Sequence, residues 1–394
     1  MGGTVNSIYN NLSFALNLQT DALFRLQEQA STGSRINRAS DDPSSAYRVL
    51  GLNSQVRTLE SYTDNIERTL STLEISLTIV AEMISALADA KVAVSQITNG
   101  IYGEDGRATA AEGINDTLEE MVSLANTQHL NEYLFGGGNT GSAPYSVVRT
   151  DGKITSVTYQ GSNENREVEV AAGVQSSAFY IGDEIFRSND RGELIFLGDT
   201  GAQAGTGTSS VRGDTWLAVT GSEGNYSLSI DDGLTTVSTD GTDTNLAVTD
   251  SRTGQVLYVD TTAITAEGVD LVRAPGTYDV FETLIYVRDI LSNEKGLSNT
   301  QVEELCNSSL ESLEEIRDYL TEKSVSVGSR IGFLEVLANS IEDMKFVTED
   351  ERTMLEEADI TQIAIDIARQ EVLYQMSLSV AGSLMSMSLL DFIG

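Results

Sequence analysis

The sequence predicts an α+β multidomain protein, in which helices from both chain ends form a long antiparallel coiled-coil rod and β-rich outer domains are inserted between them. The chain has 394 residues, more than the roughly 250 to 300 at which a single core stops growing. Apolar residues recur at alternating steps of three and four in both end regions, which is typical of coiled-coil helices. The middle of the chain instead holds 21 of the 34 glycines and short β-branched runs.

The first segment, residues 1–44, is predicted to be an N-terminal amphipathic helix followed by a loop. Apolar residues from Ile8 to Ala30 keep a helical spacing, and Gly33 can end the helix in a left-handed conformation. Asp42 suits a helix N-cap, with Pro43 at the first helical position. We therefore expect a terminal assembly region that ends where a second helix begins.

Residues 45–138 are predicted to form the N-terminal part of the helical rod. A helix from about residue 44 to 99 would be roughly 80 Å long, at 1.5 Å per residue. After a turn at Gly100–Gly106, a third helix is expected to fold back and to end near Asn131.

Two β-rich outer domains are predicted next, the first over residues 139–186 and the second, an insertion, over residues 187–278. Pro144 and Pro275 bracket this part of the chain. Short runs of β-branched and aromatic residues alternate there with Asp-Gly turns, which indicates antiparallel hairpins.

The helical pattern returns in residues 279–357, predicted to be the C-terminal part of the rod. Residues 358–394 are predicted to be a C-terminal amphipathic helix that is apolar on nearly every side and so needs partners. A coiled-coil membrane receptor is an alternative, because residues 372–390 carry no charge and could nearly span a hydrocarbon core of about 30 Å. Gln375, five serines and acidic flanks favour a helix buried among protein helices, without membrane insertion.

The charge and composition exclude several classes of function. The net charge is −35, and no third of the chain is basic, which argues against nucleic acid as a partner. One cysteine (Cys306) and one histidine (His129) exclude an intrachain disulfide and a Cys/His zinc site. The sequence reaches Asp21 with no Lys or Arg and no seven-residue apolar run, so no cleavable secretory signal is expected.

No catalytic or cofactor-binding motif is present in the sequence. Gly136–Gly138 is followed by Asn and Thr, unlike a phosphate-binding loop, and no Gly-x-Ser-x-Gly elbow occurs. The Asp-rich turns at 231–233 and 240–243 lack calcium-loop spacing. We therefore predict no enzyme activity, no catalytic residues, no metal and no cofactor.

Two sets of residues are predicted to hold the helices together or to join copies of the chain. The predicted intrachain coiled-coil seam consists of Ile66, Leu70, Leu73, Leu77, Leu334, Leu337 and Ile341. The predicted assembly interface consists of Leu12, Leu16, Leu23, Leu26, Arg35, Ile36, Asp41, Asp42, Pro43, Tyr374, Leu378, Leu384, Leu389, Leu390 and Phe392.

Three stretches resemble the flagellin superfamily and, within it, the hook-associated protein 3 family. The stretch from Ser31 to Pro43, STGSRINRASDDP, resembles the loop after the first helix of that superfamily, and Tyr374 to Phe392 resembles its closing helix. The sequence Tyr133-Leu134-Phe135-Gly136-Gly137 is similar to the signature of the hook-associated family. Residues 187–278 depart from the pattern, because shorter relatives pass almost directly to the returning helix.

This resemblance implies a structural subunit that joins the flagellar hook to the filament and that assembles by lateral stacking of its terminal helices. The implied partners are further copies of the chain, hook-associated protein 1 on the hook side and flagellin on the filament side. A cytosolic export chaperone would bind the C-terminal helix. The implied location is the extracellular flagellum, reached by type III export without a cleaved signal peptide. Within the same class, a flagellin that forms the filament itself is the alternative.

Overall fold

The fold consists of two compact units, which are described separately. The computed structural model describes residues 2–98 and 103–393, with side chains for residues 10–98 and 103–383. The terminal unit contains residues 1–64 and 337–394, and the central unit contains residues 65–336.

Long helices dominate both ends of the chain, as the apolar periodicity predicts. The helices are α1 (Gly2–Thr32), α2 (Pro43–Thr98), α3 (Glu104–Ala125), α4 (Gly182–Ile185), α5 (Val280–Ser292), α6 (Asn299–Glu356) and α7 (Ile360–Ile393).

The strands all lie in the central unit, in the part of the chain that is rich in glycine. They are β1 (Gln128–His129), β2 (Glu132–Tyr133), β3 (Tyr145–Thr150), β4 (Lys153–Tyr159), β5 (Glu167–Ala171), β6 (Val174–Ser177), β7 (Ile195–Leu197), β8 (Gln203–Ala204), β9 (Gly213–Ser222), β10 (Asn225–Ser229), β11 (Val237–Thr239), β12 (Leu246–Thr249), β13 (Val256–Asp260) and β14 (Gly268–Ala274).

Every strand pairing is antiparallel. The first three pairs are hairpins: β1 with β2, β3 with β4, and β5 with β6. The later strands form a five-stranded sheet in the order β11-β10-β9-β14-β7 and a three-stranded sheet in the order β12-β13-β8. Both of these sheets contribute to one apolar core, which includes Leu217, Leu228, Val248 and Leu257. The inserted segment therefore has a core of its own.

Helices α2 and α6 contact each other in antiparallel order within each unit. In the terminal unit, Asn53 accepts a hydrogen bond from Arg352 at 3.1 Å, and Glu60 pairs with Lys345 at 3.1 Å. Asn53 and Glu60 are seven residues, one heptad, apart on α2. Their partners on α6 are also seven apart but run in the opposite direction, so the two helices are antiparallel. In the central unit, Lys91 pairs with Glu314 at 2.8 Å.

The residues of the predicted seam differ in their burial. Ile66, Leu73, Leu334 and Ile341 are fully buried, whereas Leu70, Leu77 and Leu337 are only half-buried. On α2 the positions one residue before Leu70 and Leu77 are buried instead, and they are the small polar residues Thr69 and Ser76. Their hydroxyls donate to the carbonyls four residues earlier, so burying them leaves no unpaired donor.

Strands β9 and β14 are covered on both faces, which joins the inserted segment to the helices of the central unit. Alternate residues point to opposite faces of a strand. Leu217 and Val272 face the core of the inserted segment, whereas Trp216 and Leu271 pack into the core that α3, α5 and α6 share. The segment 187–278 is therefore fastened to the helices through the back of its larger sheet.

A buried ion pair lies on that helix-facing side. Asp214 and Arg273 are directly opposite each other on β9 and β14. Nε and a terminal nitrogen of Arg273 donate to the two carboxylate oxygens of Asp214 at 2.8 and 2.9 Å. The other terminal nitrogen donates to the carbonyl of Ser308 on α6 at 2.6 Å. The side chains are 4% and 3% exposed, so the pair is desolvated.

The start of α5 is held by a second buried charge cluster. Asp279 caps the helix by accepting from the backbone N–H groups of Phe281 and Glu282 at 2.9 and 3.1 Å. Arg187 reaches the same carboxylate at 3.4 Å. Burial, with the nearby charge of Asp279, raises the pKa of the Glu282 carboxyl to about 7.

The predicted fold class is confirmed, because long helices near both chain ends precede and follow β-rich segments in the sequence. One predicted boundary is wrong: α3 ends at Ala125 and not near Asn131. Leu130 and Asn131, with φ values of 50° and 67°, form the turn of the β1–β2 hairpin, which occupies the predicted end of the helix. His129 therefore lies on a strand and not at a helix end. Among the described residues, no helix is long and apolar enough to span a membrane.

Candidate assembly surface

The loop of residues 33–42 fastens α1 and α2 to the junction between α6 and α7. Gly33 adopts φ 71°, which a glycine tolerates without strain, and its carbonyl accepts from the N–H of Ala358 at 3.0 Å. The N–H of Arg35 donates to the carbonyl of Glu356 at 2.7 Å. The sequence pointed to this loop through its resemblance and through the predicted helix cap at Asp42, and the structure adds these backbone contacts.

Within the loop, Asp42 combines the two roles of helix cap and ion-pair partner. Its carboxylate accepts from the backbone N–H and the hydroxyl of Ser45 at 3.1 and 2.7 Å, which caps α2. Arg35 donates to it at 3.0 Å and also donates to the carbonyl of Leu355 at 3.1 Å. The hydrogen bonds from Ser45, with that from Arg35, lower the pKa of Asp42 to about 2.

The neighbouring carboxylate of Asp41 organises the inside of the loop. It accepts from the backbone N–H groups of Asn37 and Arg38 at 3.2 and 2.8 Å. Ile36 is half-buried, whereas Arg35 and Pro43 are exposed. Of the five predicted interface residues in this region, Arg35, Ile36, Asp41 and Asp42 therefore lie in the loop of residues 33–42, and Pro43 is the first residue of α2.

Helices α1 and α7 pack against each other in the terminal unit. The predicted interface residues Leu12, Leu16, Leu23, Leu26 and Tyr374 are half-buried, and Leu378 is 45% exposed. The side chains of the remaining predicted interface residues, Leu384, Leu389, Leu390 and Phe392, lie outside the described residues.

A second apolar face, outside the predicted interface residues, is open to solvent on the same two helices. On α1, Phe14 and Leu18 are 66% and 55% exposed and lie one helical turn apart. On α7, Val372, Leu373, Met376 and Val380 are also exposed. The spacing of Phe14 and Leu18 could have identified this face, but a single helical period does not tell which of two apolar stripes points outward.

The exposed apolar residues of the terminal unit continue onto α2 and α6. Tyr47 and Leu50 are 80% and 63% exposed, and on α6 Phe346, Val347 and Met354 are exposed. Scattered single apolar residues are normal on a protein surface, whereas many on neighbouring helices mark an interaction surface.

The signature Tyr133–Gly137 has a packing role at the start of the β-rich part. Leu134, Phe135, Gly136 and Gly137 are buried, and the Phe135 ring meets the Phe186 ring edge-on at 4.8 Å. Gly137 has φ 60°, and a Cβ there would lie 2.3 Å from the carbonyl oxygen of Ser162. Only glycine fits this position without displacing the backbone.

The described side chains include no group of three or more His, Cys, Asp or Glu residues that could hold a metal ion. Cys306 is 1% exposed in the core of the central unit, and burial raises the pKa of its thiol to about 11.

Comparison with known proteins shows that the chain is similar to the flagellin superfamily and, within it, to hook-associated proteins. Residues 4–140 match the family described as the bacterial flagellin N-terminal helical region. Flagellar hook-associated protein 3 of Escherichia coli is 32% identical over 164 residues, which is 41% of this chain and 49% of that protein. The protein of the same name in Salmonella typhimurium is 28% identical over 181 residues, 45% of this chain and 54% of that protein.

The matched sequence thus spans about half the length of these relatives, and a solved structure extends the comparison at the level of the fold. The flagellar hook-associated protein 3 of Legionella pneumophila has a TM-score of 0.53 and 16% identity, and the match covers 77% of this chain and 98% of that one. The predicted resemblance to flagellar hook-associated protein 3, within the flagellin superfamily, is confirmed.

Proposed function

We propose that the chain is a structural, non-enzymatic subunit that joins the hook to the filament of the bacterial flagellum. The carrying observation is the solvent-exposed apolar face of α1 and α7, which one copy of the chain leaves without a partner. Burying apolar surface contributes about 25 cal/mol per Å², so stacking of such faces between copies is favourable. The similarity to hook-associated proteins supports the position at the junction.

Assembly proceeds by lateral stacking of the terminal helices. The loop of residues 33–42 fixes α1 to the α6–α7 junction, so the exposed faces of α1 and α7 are presented together. Contacts between different patches on neighbouring copies produce a repeating array. The partners are other copies of the chain, hook-associated protein 1 towards the hook and flagellin towards the filament.

Before assembly, the chain is exported through the flagellar type III channel without a cleaved signal. A cytosolic chaperone that covers α7 would keep Val372, Met376 and Val380 out of water until the chain is exported. The single cysteine means that no intrachain disulfide has to be reduced for passage of the unfolded chain.

A filament flagellin is the second candidate, because the matching family takes its name from flagellin. Electron microscopy of a strain that lacks the gene separates the two. A junction subunit predicts hooks without filaments, with flagellin released into the medium. Intact hooks with no flagellin in the medium would instead identify the missing protein as the filament subunit.

The stacking mechanism has its own test in solution. Deletion of residues 1–32 together with 360–394 should leave a folded, monomeric chain of residues 33–359, measured by sedimentation and circular dichroism. The double substitution of Phe14 and Leu18 by Ser should weaken self-association in the full chain. The matched control is substitution of Leu234, which is 63% exposed on the inserted segment. Self-association of the deletion variant and of the Phe14 and Leu18 double variant equal to that of the unaltered chain would contradict stacking through α1 and α7.

A further inference from the structure

A short stretch in the middle of α6 has a composition that disfavours a helix. Residues 324–332 read SVSVGSRIG, and Arg330 is the only strong helix former among them. Alternating serine and valine is more typical of a strand, because β-branched side chains lose rotamer freedom in a helix and serine hydroxyls compete for backbone hydrogen bonds. The stretch is nevertheless helical, within a helix of 58 residues. Its local sequence therefore contributes little to the helix that it belongs to.

The two glycines of this stretch, Gly328 and Gly332, lie one helical turn apart, and nothing packs closely against them. A Cβ built on either glycine would meet no atom of another element within 4 Å. Alanine would therefore fit at both positions and would favour the helix roughly fivefold at each. What glycine adds there is backbone freedom, and kinks in long helices often lie at Gly/Ser pairs such as Gly328 and Ser329.

The packing of α2 against this part of α6 is also weak. Lys91 pairs with Glu314, so the antiparallel order of the two helices places α2 near residue 76 level with α6 near residue 329. The buried residues of α2 there include Thr69, Thr72 and Ser76, which are small and polar. The buried apolar side chains at this level, which lie outside both apolar cores, are Leu73, Val327 and Leu334. The stretch therefore gains less from apolar packing than the part of α6 that lies in the larger core.

A contact from the β-rich part of the central unit holds the stretch. The guanidinium of Arg330 lies over the ring of Tyr180, 5.0 Å from its centre, in a cation–π arrangement. The backbone of Tyr180 is itself fixed, because its N–H donates to the carbonyl of Leu134 at 3.2 Å and its carbonyl accepts from the N–H of Gly137 at 3.0 Å. Leu134 and Gly137 belong to the signature described above. The signature and the stretch are therefore joined through one aromatic ring.

We propose that residues 324–332 are a conformational device, a segment of α6 that opens locally and that the contact between Arg330 and Tyr180 keeps closed. Local opening is favoured by low helix propensity and by little buried apolar surface, and the stretch has both. Opening of one short segment leaves the two apolar cores intact, so α6 can bend there without unfolding of the chain. In an assembled structure the device allows copies to differ in the direction of α6, and this consequence alone rests on the proposed function.

The first test is amide hydrogen exchange of the dilute full chain, followed by mass spectrometry. Residues 324–332 should exchange at least about tenfold faster than residues 311–320 of the same helix. Gly328→Ala combined with Gly332→Ala should slow exchange of the stretch about tenfold. The control is Gly113→Ala on α3, where a Cβ also has open space, and it should leave exchange of the stretch unchanged. Equal exchange along α6, or alanines that weaken self-association without slowing exchange, overturns the proposal.

The contact with Tyr180 is tested by changing the ring and the cation separately. Tyr180→Phe keeps the ring and removes a hydroxyl that is buried without a hydrogen-bond partner among the described residues, so exchange of 324–332 should not change. Arg330→Gln removes the cation at nearly the same helix propensity and should speed this exchange about two- to fivefold, with residues 311–320 unaffected. Unchanged exchange in Arg330→Gln, or an equal rise in both stretches, overturns the role of this contact. Both tests use the free chain, so their outcome is independent of the proposed assembly.

Discussion

Removal of the carboxylate charge from the Asp214–Arg273 pair should destabilise the junction between the inserted sheet and α6. Asp214→Asn keeps the size of the side chain but leaves the buried Arg273 without its counterion. Breaking a buried pair in this way costs about 3 to 5 kcal/mol. Arg273 keeps its hydrogen bond to the carbonyl of Ser308 at 2.6 Å, which compensates part of the lost interaction. We therefore expect the lower value, about 3 kcal/mol.

The single tryptophan provides the assay. Trp216 lies two residues from Asp214 on the same face of β9, opposite Leu271, and it is 9% exposed. Its fluorescence during urea unfolding therefore reports on the surface where the sheet meets the helices. Fitting these curves gives the change in the free energy of unfolding.

Two further variants make the result decisive. The double variant Asp214→Leu with Arg273→Met should lose much less stability than Asp214→Asn, because no buried charge is left unpaired. The matched surface control is Glu294→Gln, which breaks the exposed pair with Lys153 and should cost at most about 1 kcal/mol. If Asp214→Asn costs no more than Glu294→Gln, the reasoning about the buried pair is refuted.

Three further predictions follow from the packing of single residues. Gly137→Ala should destabilise the fold well beyond the roughly 1 to 2 kcal/mol of a left-handed alanine, because its Cβ would lie 2.3 Å from a backbone oxygen. Gly152 has φ 85° and open space around it, so Gly152→Ala should cost only the backbone strain. Equal melting temperatures of the two variants would contradict this reasoning. Leu334→Ala should lower the free energy of unfolding by about 2 to 5 kcal/mol, and Leu337→Ala, at a half-buried position, should lower it clearly less. The reverse order in urea unfolding would rule out the seam position of Leu334. The pKa of Glu282 in the folded state is raised to about 7 from 4.5. The contribution of Glu282 to stability is therefore complete below pH 4.5 and is lost as the pH rises through 7. Glu282→Gln should flatten this fall in stability, and a variant with an unchanged pH profile of stability would argue against this role of Glu282.

The sequence by itself determined the order of the elements and the position of the β-rich insertion. Helical periodicity is a local property, and steps of three and four residues predict α1, α2, α6 and α7 without knowledge of their partners. Asp42 and Pro43 fixed the start of α2 for a similarly local reason, because a cap and its helix are neighbours in the chain. The resemblance of the loop and of the last helix pointed to the flagellin superfamily.

Tertiary structure alone decided which apolar residues are turned outward and which strands are covered twice. The pattern of α1 contains two apolar stripes, and only packing against α7 leaves Phe14 and Leu18 in solvent. Trp216 and Leu217 are adjacent in sequence, yet one packs on helices and the other in the core of the insertion. Asp214 meets Arg273 across 59 positions of the chain. Such contacts depend on how distant segments fold together, and no local period encodes them.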